Sequence, residues 1–197
     1  MVLFFFGKME FEERLKSSLL RDRSNKGSID SGVKDLVESI NSFQNLFTTS
    51  SCSGRVAVVK KVSNKKKDLE FLFCSHEKLV DINPIKNKLM FDDRPGSVWL
   101  LFQPTILHVC CKSIEDGEWL FSNARKAGYK RTGIISLKKN VMVEIMGTDF
   151  IEHLLYDDEG IYYTDHSLER IVFYVNQKFE ENFKKISRFL DILDGGC

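Results

Sequence analysis

Thr48-Thr-Ser-Ser-Cys-Ser-Gly-Arg55 leads directly into Val56-Ala-Val-Val59, so a polar string of small residues is followed at once by a β-branched apolar one. The second half reads as a strand. The first half reads as a turn feeding it, poor as core material and well suited to a site. Serine and threonine hydroxyls with their backbone amides can wrap an anionic group. Gly54 admits a close backbone approach, and Arg55 can grip a carboxylate or phosphate at two points. A Ser/Thr-rich turn closed by its own side-chain-to-backbone bonds would explain the same composition.

Working outward, Val33, Leu36, Val37 and Ile40 recur at helical spacing and predict a helix from Val33 to Phe43, with Asp30 or Ser31 as its cap. Phe11, Leu15, Leu19 and Leu20 suggest an earlier helix. On the other side, Arg55 to Val62, Leu69 to Cys74, Val98 to Phe102 and Thr105 to Cys111 read as strands, with Asp92 to Gly96 as a turn-rich loop. Ser113 starts a helix that stops at Gly128, and Thr132 to Leu137 and Asn140 to Met146 form a further strand pair. Leu168 to about Leu193 is the longest helical stretch, with Ile171, Val172, Val175, Phe179, Phe183, Ile186, Phe189 and Leu190 at helical spacing.

Strands in runs between helices favour an α+β fold, a single domain in which a mixed β-sheet is packed by helices including the long C-terminal one. No G-x-G-x-x-G turn follows a first strand, which argues against a Rossmann-type, doubly wound fold. No internal repeat, linker or low-complexity tract divides the domain.

At 197 residues, 43% hydrophobic, the chain can bury a core without covalent staples. Its five cysteines are an odd number in scattered positions, so reduced thiols are expected. No short-spaced Cys/His pairs of the zinc type occur, and no metal is expected, although Cys74 and His76 are spaced to face one side of a strand. The apolar lead Val2 to Phe6 is too short for a membrane span or a signal peptide, which suggests a soluble, cytoplasmic protein. A net charge of +1 conceals clusters at Lys60, Lys61, Lys65, Lys66 and Lys67, at Arg125, Lys126, Lys130 and Arg131, and at Lys138 and Lys139. Such clusters either make a basic face for RNA or are solvated loops.

The string at 48–55 does not stand alone. Lys26-Gly-Ser-Ile-Asp30, Ile40-Asn-Ser42, Ser75-His76, Gln103-Pro-Thr-Ile-Leu-His108, Ala124 to Ile134, Val143-Glu-Ile145 and the Asn176-bearing last helix follow in an order that resembles the tRNA wybutosine-synthesising protein 3 family, including its archaeal members. The resemblance covers Met9 to about Leu190 and implies an N-terminal extension (1–8), one domain (9–193) and a short C-terminal tail (194–197). It departs at the strand before Ser75-His76, where Phe71, Phe73 and Cys74 stand in place of a tryptophan, and at Met146, where the family pattern has arginine.

The resemblance implies an S-adenosylmethionine-dependent tRNA methyltransferase of wybutosine biosynthesis. Its reaction is methylation of the N4 nitrogen of the tricyclic wybutosine precursor in tRNA-Phe. On that basis Ser50, Ser51, Ser53 and the Gly54 backbone are expected to bind the methionine carboxylate or a phosphate, with Arg55 as ionic partner. Asp30 is the candidate proton acceptor or binder of the cofactor's ammonium, or else only a helix cap. His76 and His108 are candidates to orient the base, accept its proton or touch the tRNA backbone. His76 is placed with Asp30 among the catalytic residues. Tyr129, beside Lys130 and Arg131, is a candidate stacking residue on the RNA face with His108. Covalent catalysis by Cys52 is not expected, because the transfer needs no covalent step. Two other readings compete: a non-catalytic tRNA-binding module on the same scaffold, and a small-molecule-binding regulator that uses the serine-rich string for an anion.

Overall fold

The computed structural model describes residues 29–62, 69–89, 95–137 and 140–195. The expected first helix through Phe11, the clusters at Lys65 to Lys67 and Lys138–Lys139, and most of the Asp92 to Gly96 turn lie outside the described residues. In chain order, a 3-10 turn (Ser31–Val33) is followed by α1 (Lys34–Ser42), β1 (Leu46–Cys52), β2 (Arg55–Lys61), β3 (Leu69–Ser75), α2 (Asn83–Leu89) and β4 (Ser97–Gln103). Then come β5 (Ile106–Cys111), α3 (Ile114–Ala127), β6 (Gly133–Ser136), β7 (Val141–Met146), β8 (Ile151–Asp157), β9 (Gly160–Ile161) and α4 (Asp165–Asp194).

The α+β class is as expected, and the strands divide into two sheets, ordered β1-β5-β7-β6 and β3-β2-β4-β8-β9. All pairings among the described strands are antiparallel, whereas a single mixed sheet was anticipated. The described residues form two compact units, one drawn from the spans 1–53, 105–148 and 183–197, the other from 54–104 and 149–182. Each is assembled from separate stretches of sequence, so no single cut divides them, in keeping with the lack of any linker composition.

In the first unit, alternation along the strands sorts the side chains. Leu107, Val109 and Cys111 of β5 and Val143 and Ile145 of β7 join a core with Leu36, Val37 and Ile40 of α1, Leu120, Ala124 and Ala127 of α3, and Phe189 and Leu193 of α4. Each fully buried large apolar side chain here contributes about 1.5–3 kcal/mol. The intervening residues, His108 on β5 and Glu144 on β7, fall on the opposite face of the same sheet. Helix α3 is framed as its sequence predicts. Ser113 and Asp116 form a reciprocal capping box, and Gly128, at φ 107°, takes the left-handed position that ends the helix.

In the second unit, Val56, Ala57, Val58 and Val59 are fully buried in central strand β2, which is why that stretch is apolar without alternation. The N-terminal part of α4 contributes Leu168, Val172, Val175 and Phe179, the last edge-on to Phe102 at 4.9 Å. The Asn176 side chain accepts the Leu79 N–H at 2.9 Å and donates to the Leu79 carbonyl at 2.7 Å, pinning the segment that precedes α2.

Local expectations are corrected as well. Thr48 to Cys52 belongs to strand β1, so the expected turn shrinks to Ser53 and Gly54. An edge strand paired on one side tolerates hydroxyl residues because their face stays open to solvent. Strand β8, which carries His153, and helix α2 were not anticipated at all. Lys60, counted among the basic-cluster residues, is fully buried with its ammonium 6.0 Å from the Tyr156 ring centre. Its neighbour Lys61 pairs with Glu152 at 3.1 Å.

Candidate active site

The serine-rich string builds its site by strand register. β1 lies beside β5 with Thr48 opposite Val109, but a bulge between Thr48 and Ser50 absorbs one residue. Ser50, not Thr49, therefore stands opposite His108. On the far side of β5, His108 stands opposite Glu144 of β7. Three directly opposed residues on one sheet face lie within side-chain reach of one another. The Ser50 hydroxyl meets His108 Nδ1 at 2.7 Å, and His108 Nε2 meets Glu144 Oε2 at 2.8 Å. The His108 and Glu144 side chains are about one-third exposed, at 31% and 30%, and Ser50 is exposed. The Thr49 hydroxyl donates to the His108 carbonyl at 3.1 Å, which fastens the bulge.

A carboxylate offers only acceptors, so His108 presents a protonated Nε2 to Glu144. In the neutral ring Nδ1 is then the acceptor, and the Ser50 hydroxyl proton points at it. With its one proton committed, Ser50 keeps its oxygen lone pairs for the open face.

Where β1 ends, Ser53 is buried and bonded through every part. Its N–H donates to the Asp30 carboxylate at 3.1 Å, its hydroxyl donates to the same oxygen at 3.4 Å, and its carbonyl accepts from the Thr105 hydroxyl at 3.1 Å. Asp30 precedes the 3-10 turn without capping it by its side chain, so a capping role alone does not describe it. Gly32 permits the approach: a Cβ there would meet the Phe183 ring at 2.7 Å and Ser53 Cβ at 3.3 Å.

Gly54, at φ 101°, takes the left-handed conformation that favours glycine, just before β2 begins. In the second unit, Arg55 donates its Nε to Gln103 Oε1 at 2.7 Å and stacks its guanidinium 5.0 Å from the Phe71 ring centre. Its terminal nitrogens have no partner among the described residues. His76 lies just past β3, with Nε2 4.0 Å from the Cys74 sulfur, so the expected juxtaposition of these two holds although His76 is off the strand.

Tyr129 is a correction. It is fully buried, packs on Phe189 at 5.8 Å in the core of the first unit, and cannot stack on a base. Its hydroxyl is enclosed without a partner in ordinary bonding geometry. Burial pushes the phenol well above its usual range, opposed only in part by the nearby Thr105 hydroxyl. Its aromatic character was legible in the sequence, but the direction it points is set by the chain reversal after Gly128. Lys130 and Arg131 do remain exposed.

Sequence reasoning gave no role to Glu144, Gln103 or Thr105. For Glu144 a signal existed, since it is the one charged residue in Val141-Met-Val-Glu-Ile-Met146 and sits on the face away from the core residues Val143 and Ile145. Gln103 and Thr105 stand in the Gln103-to-His108 motif, but nothing local assigns them a role, because their partners are remote in sequence.

The comparisons agree with this architecture. The family model described as methyltransferase TYW3 matches residues 7–195. The tRNA wybutosine-synthesizing protein 3 homolog of Danio rerio is 33% identical over 87% of this chain and 69% of its own length. The tRNA(Phe) 7-((3-amino-3-carboxypropyl)-4-demethylwyosine(37)-N(4))-methyltransferase of Archaeoglobus fulgidus is 33% identical over 92% of this chain and 93% of its own. A solved protein structure from Pyrococcus horikoshii superposes with a TM-score of 0.81 at 30% identity, covering 96% of this chain and 95% of that one. With the family model spanning nearly the whole sequence, the chain belongs to the TYW3 methyltransferase family.

Proposed function

We propose that this methyltransferase acts on tRNA-Phe, transferring a methyl group from S-adenosylmethionine to the N4 nitrogen of the tricyclic wybutosine precursor. The observation that carries this reading is end-to-end similarity to an archaeal relative named for that reaction, which leaves little of either chain unmatched. When bound, the donor would supply an electrophilic methyl on a sulfonium, and the protein's work is to align it, keep the reactants close and take up the proton released by nitrogen.

The residues fit such a donor by their chemistry. Asp30 offers a carboxylate, already ordered by the Ser53 N–H, to an ammonium group. Ser51 offers a partly exposed hydroxyl, and the Ser53-Gly54 turn offers backbone. Arg55 keeps its terminal nitrogens for a carboxylate or phosphate. We assign Lys130 and Arg131 to the tRNA backbone and His76 to contacts with the substrate.

The test is transfer of labelled methyl from S-adenosylmethionine to tRNA-Phe that carries the unmethylated tricyclic base, with wholly unmodified tRNA-Phe as control. Transfer confined to the precursor tRNA is expected. Binding of the tRNA without transfer would favour the non-catalytic module instead, and binding of neither tRNA would return attention to a small-molecule regulator.

A further inference from the structure

We propose that Ser50, His108 and Glu144 form a proton relay for the methyl transfer, with Ser50 as the residue that meets the substrate nitrogen; this rests on the reaction proposed above.

The line is continuous and directional. It runs from an exposed hydroxyl, through 2.7 Å to Nδ1, across the ring, and through 2.8 Å from Nε2 to a carboxylate. The bulge in β1 creates it. Without the extra residue the ladder that pairs Thr48 with Val109 would bring Thr49 opposite His108. Bulges re-aim side chains in this way beside active sites. Glu144 fixes the imidazole in the one neutral tautomer that can accept the Ser50 proton, and it steadies the imidazolium once formed. The neighbouring members of this face, Phe47, Cys110 and Met142, are apolar and packed together, so the relay borders an apolar patch of the sheet.

The substrate nitrogen forms its bond to the methyl carbon as the carbon–sulfur bond breaks and that electron pair stays on sulfur. The nitrogen's proton passes to Ser50 Oγ while the Ser50 hydroxyl proton passes to His108 Nδ1. One positive charge leaves the sulfonium and one appears on the His108 imidazolium, paired with Glu144. Ser50 is then the catalytic member, and His108 and Glu144 act through it as positioning residues.

The experiment combines single-turnover methyl transfer to precursor tRNA-Phe with nitrogen NMR of the histidine rings in the full chain. In the wild type, His108 is expected to show a protonated Nε2 and an unprotonated Nδ1. Ser50→Ala and His108→Gln should each slow the chemical step about 100-fold, with tRNA affinity and melting temperature unchanged. Glu144→Gln, able to present an amide N–H to Nε2, should redistribute the tautomer and slow transfer, and Glu144→Asp should restore both. Transfer by Ser50→Ala at the wild-type rate, or a protonated Nδ1 in the neutral wild-type ring, would overturn the relay while leaving the methyltransferase reading intact. Absence of transfer by the wild type would overturn both.

Discussion

The carboxylate of Asp30 accepts the backbone N–H of Ser53 at 3.1 Å, joining the residue before the 3-10 turn to the residue that follows β1. The same oxygen accepts the Ser53 hydroxyl at 3.4 Å. An acidic side chain that reads in sequence as a helix cap is therefore used to shape the end of the serine-rich strand.

Asp30→Ala leaves a buried N–H without its carboxylate, which typically costs about 1–3 kcal/mol. Asp30→Asn retains an acceptor and should lose less than half of that in urea unfolding. If Asp30 also receives the ammonium of the methyl donor, Asp30→Asn will fold with nearly wild-type stability yet bind S-adenosylmethionine weakly in calorimetry.

Tyr129→Phe removes an enclosed hydroxyl that lacks a well-formed hydrogen bond, so stability should change little or rise. Tyr129→Ala empties a core position and should cost about 3–5 kcal/mol. Filter binding should show tRNA affinity unaltered in the phenylalanine variant, as a core residue requires.

The Lys130→Ala/Arg131→Ala double variant alters two exposed side chains and should melt as the wild type does. If these residues meet phosphates, tRNA affinity will fall and the slope of log affinity against log salt will become shallower by roughly 1–2. An unchanged slope removes this turn from the RNA face.

Burial pushes the Cys111 thiol from its ordinary 9.0 up to about 12, with Cys110 and Asp116 adding to the shift. Below about pH 9 the thiol is protonated in both folded and unfolded chains and stability does not depend on it. Between about pH 9 and 12 only the unfolded chain releases the proton, so the unfolded state binds fewer protons and stability falls as pH rises. The decline attributable to this group approaches 1.4 kcal/mol per pH unit. Urea titrations from pH 8 to 10.5 should show a shallower decline for Cys111→Ala than for the wild type.

Much of the fold was legible because local patterns and tertiary burial agree. Val33, Leu36, Val37 and Ile40 bury one helical stripe, Ser113 and Gly128 bracket α3 as capping chemistry demands, and the apolar run at Val56 occupies a central strand. The readings that failed were those in which a neighbour distant in sequence decides. Thr48 to Cys52 lacks the composition of a strong strand and becomes one because β5 supplies its hydrogen bonds. Helix α2 is seven residues long, too short to show a period, and is placed by burial of Ile85 and Leu89.

The sequence by itself determined the limits of α1 and α3, the α+β class and the family, since capping, periodicity and an ordered set of motifs are properties of the chain read in one direction. Only the tertiary structure decided which polar residues work together. Ser50, His108 and Glu144 are separated by 58 and 36 positions and meet through strand register. Tyr129 and Lys60 are fully buried although each stands beside basic residues in the sequence. Register depends on a single bulge and on which sheet face the core covers, and a one-residue slip would reverse every side chain. That information resides in pairings between strands, which no local stretch of sequence contains.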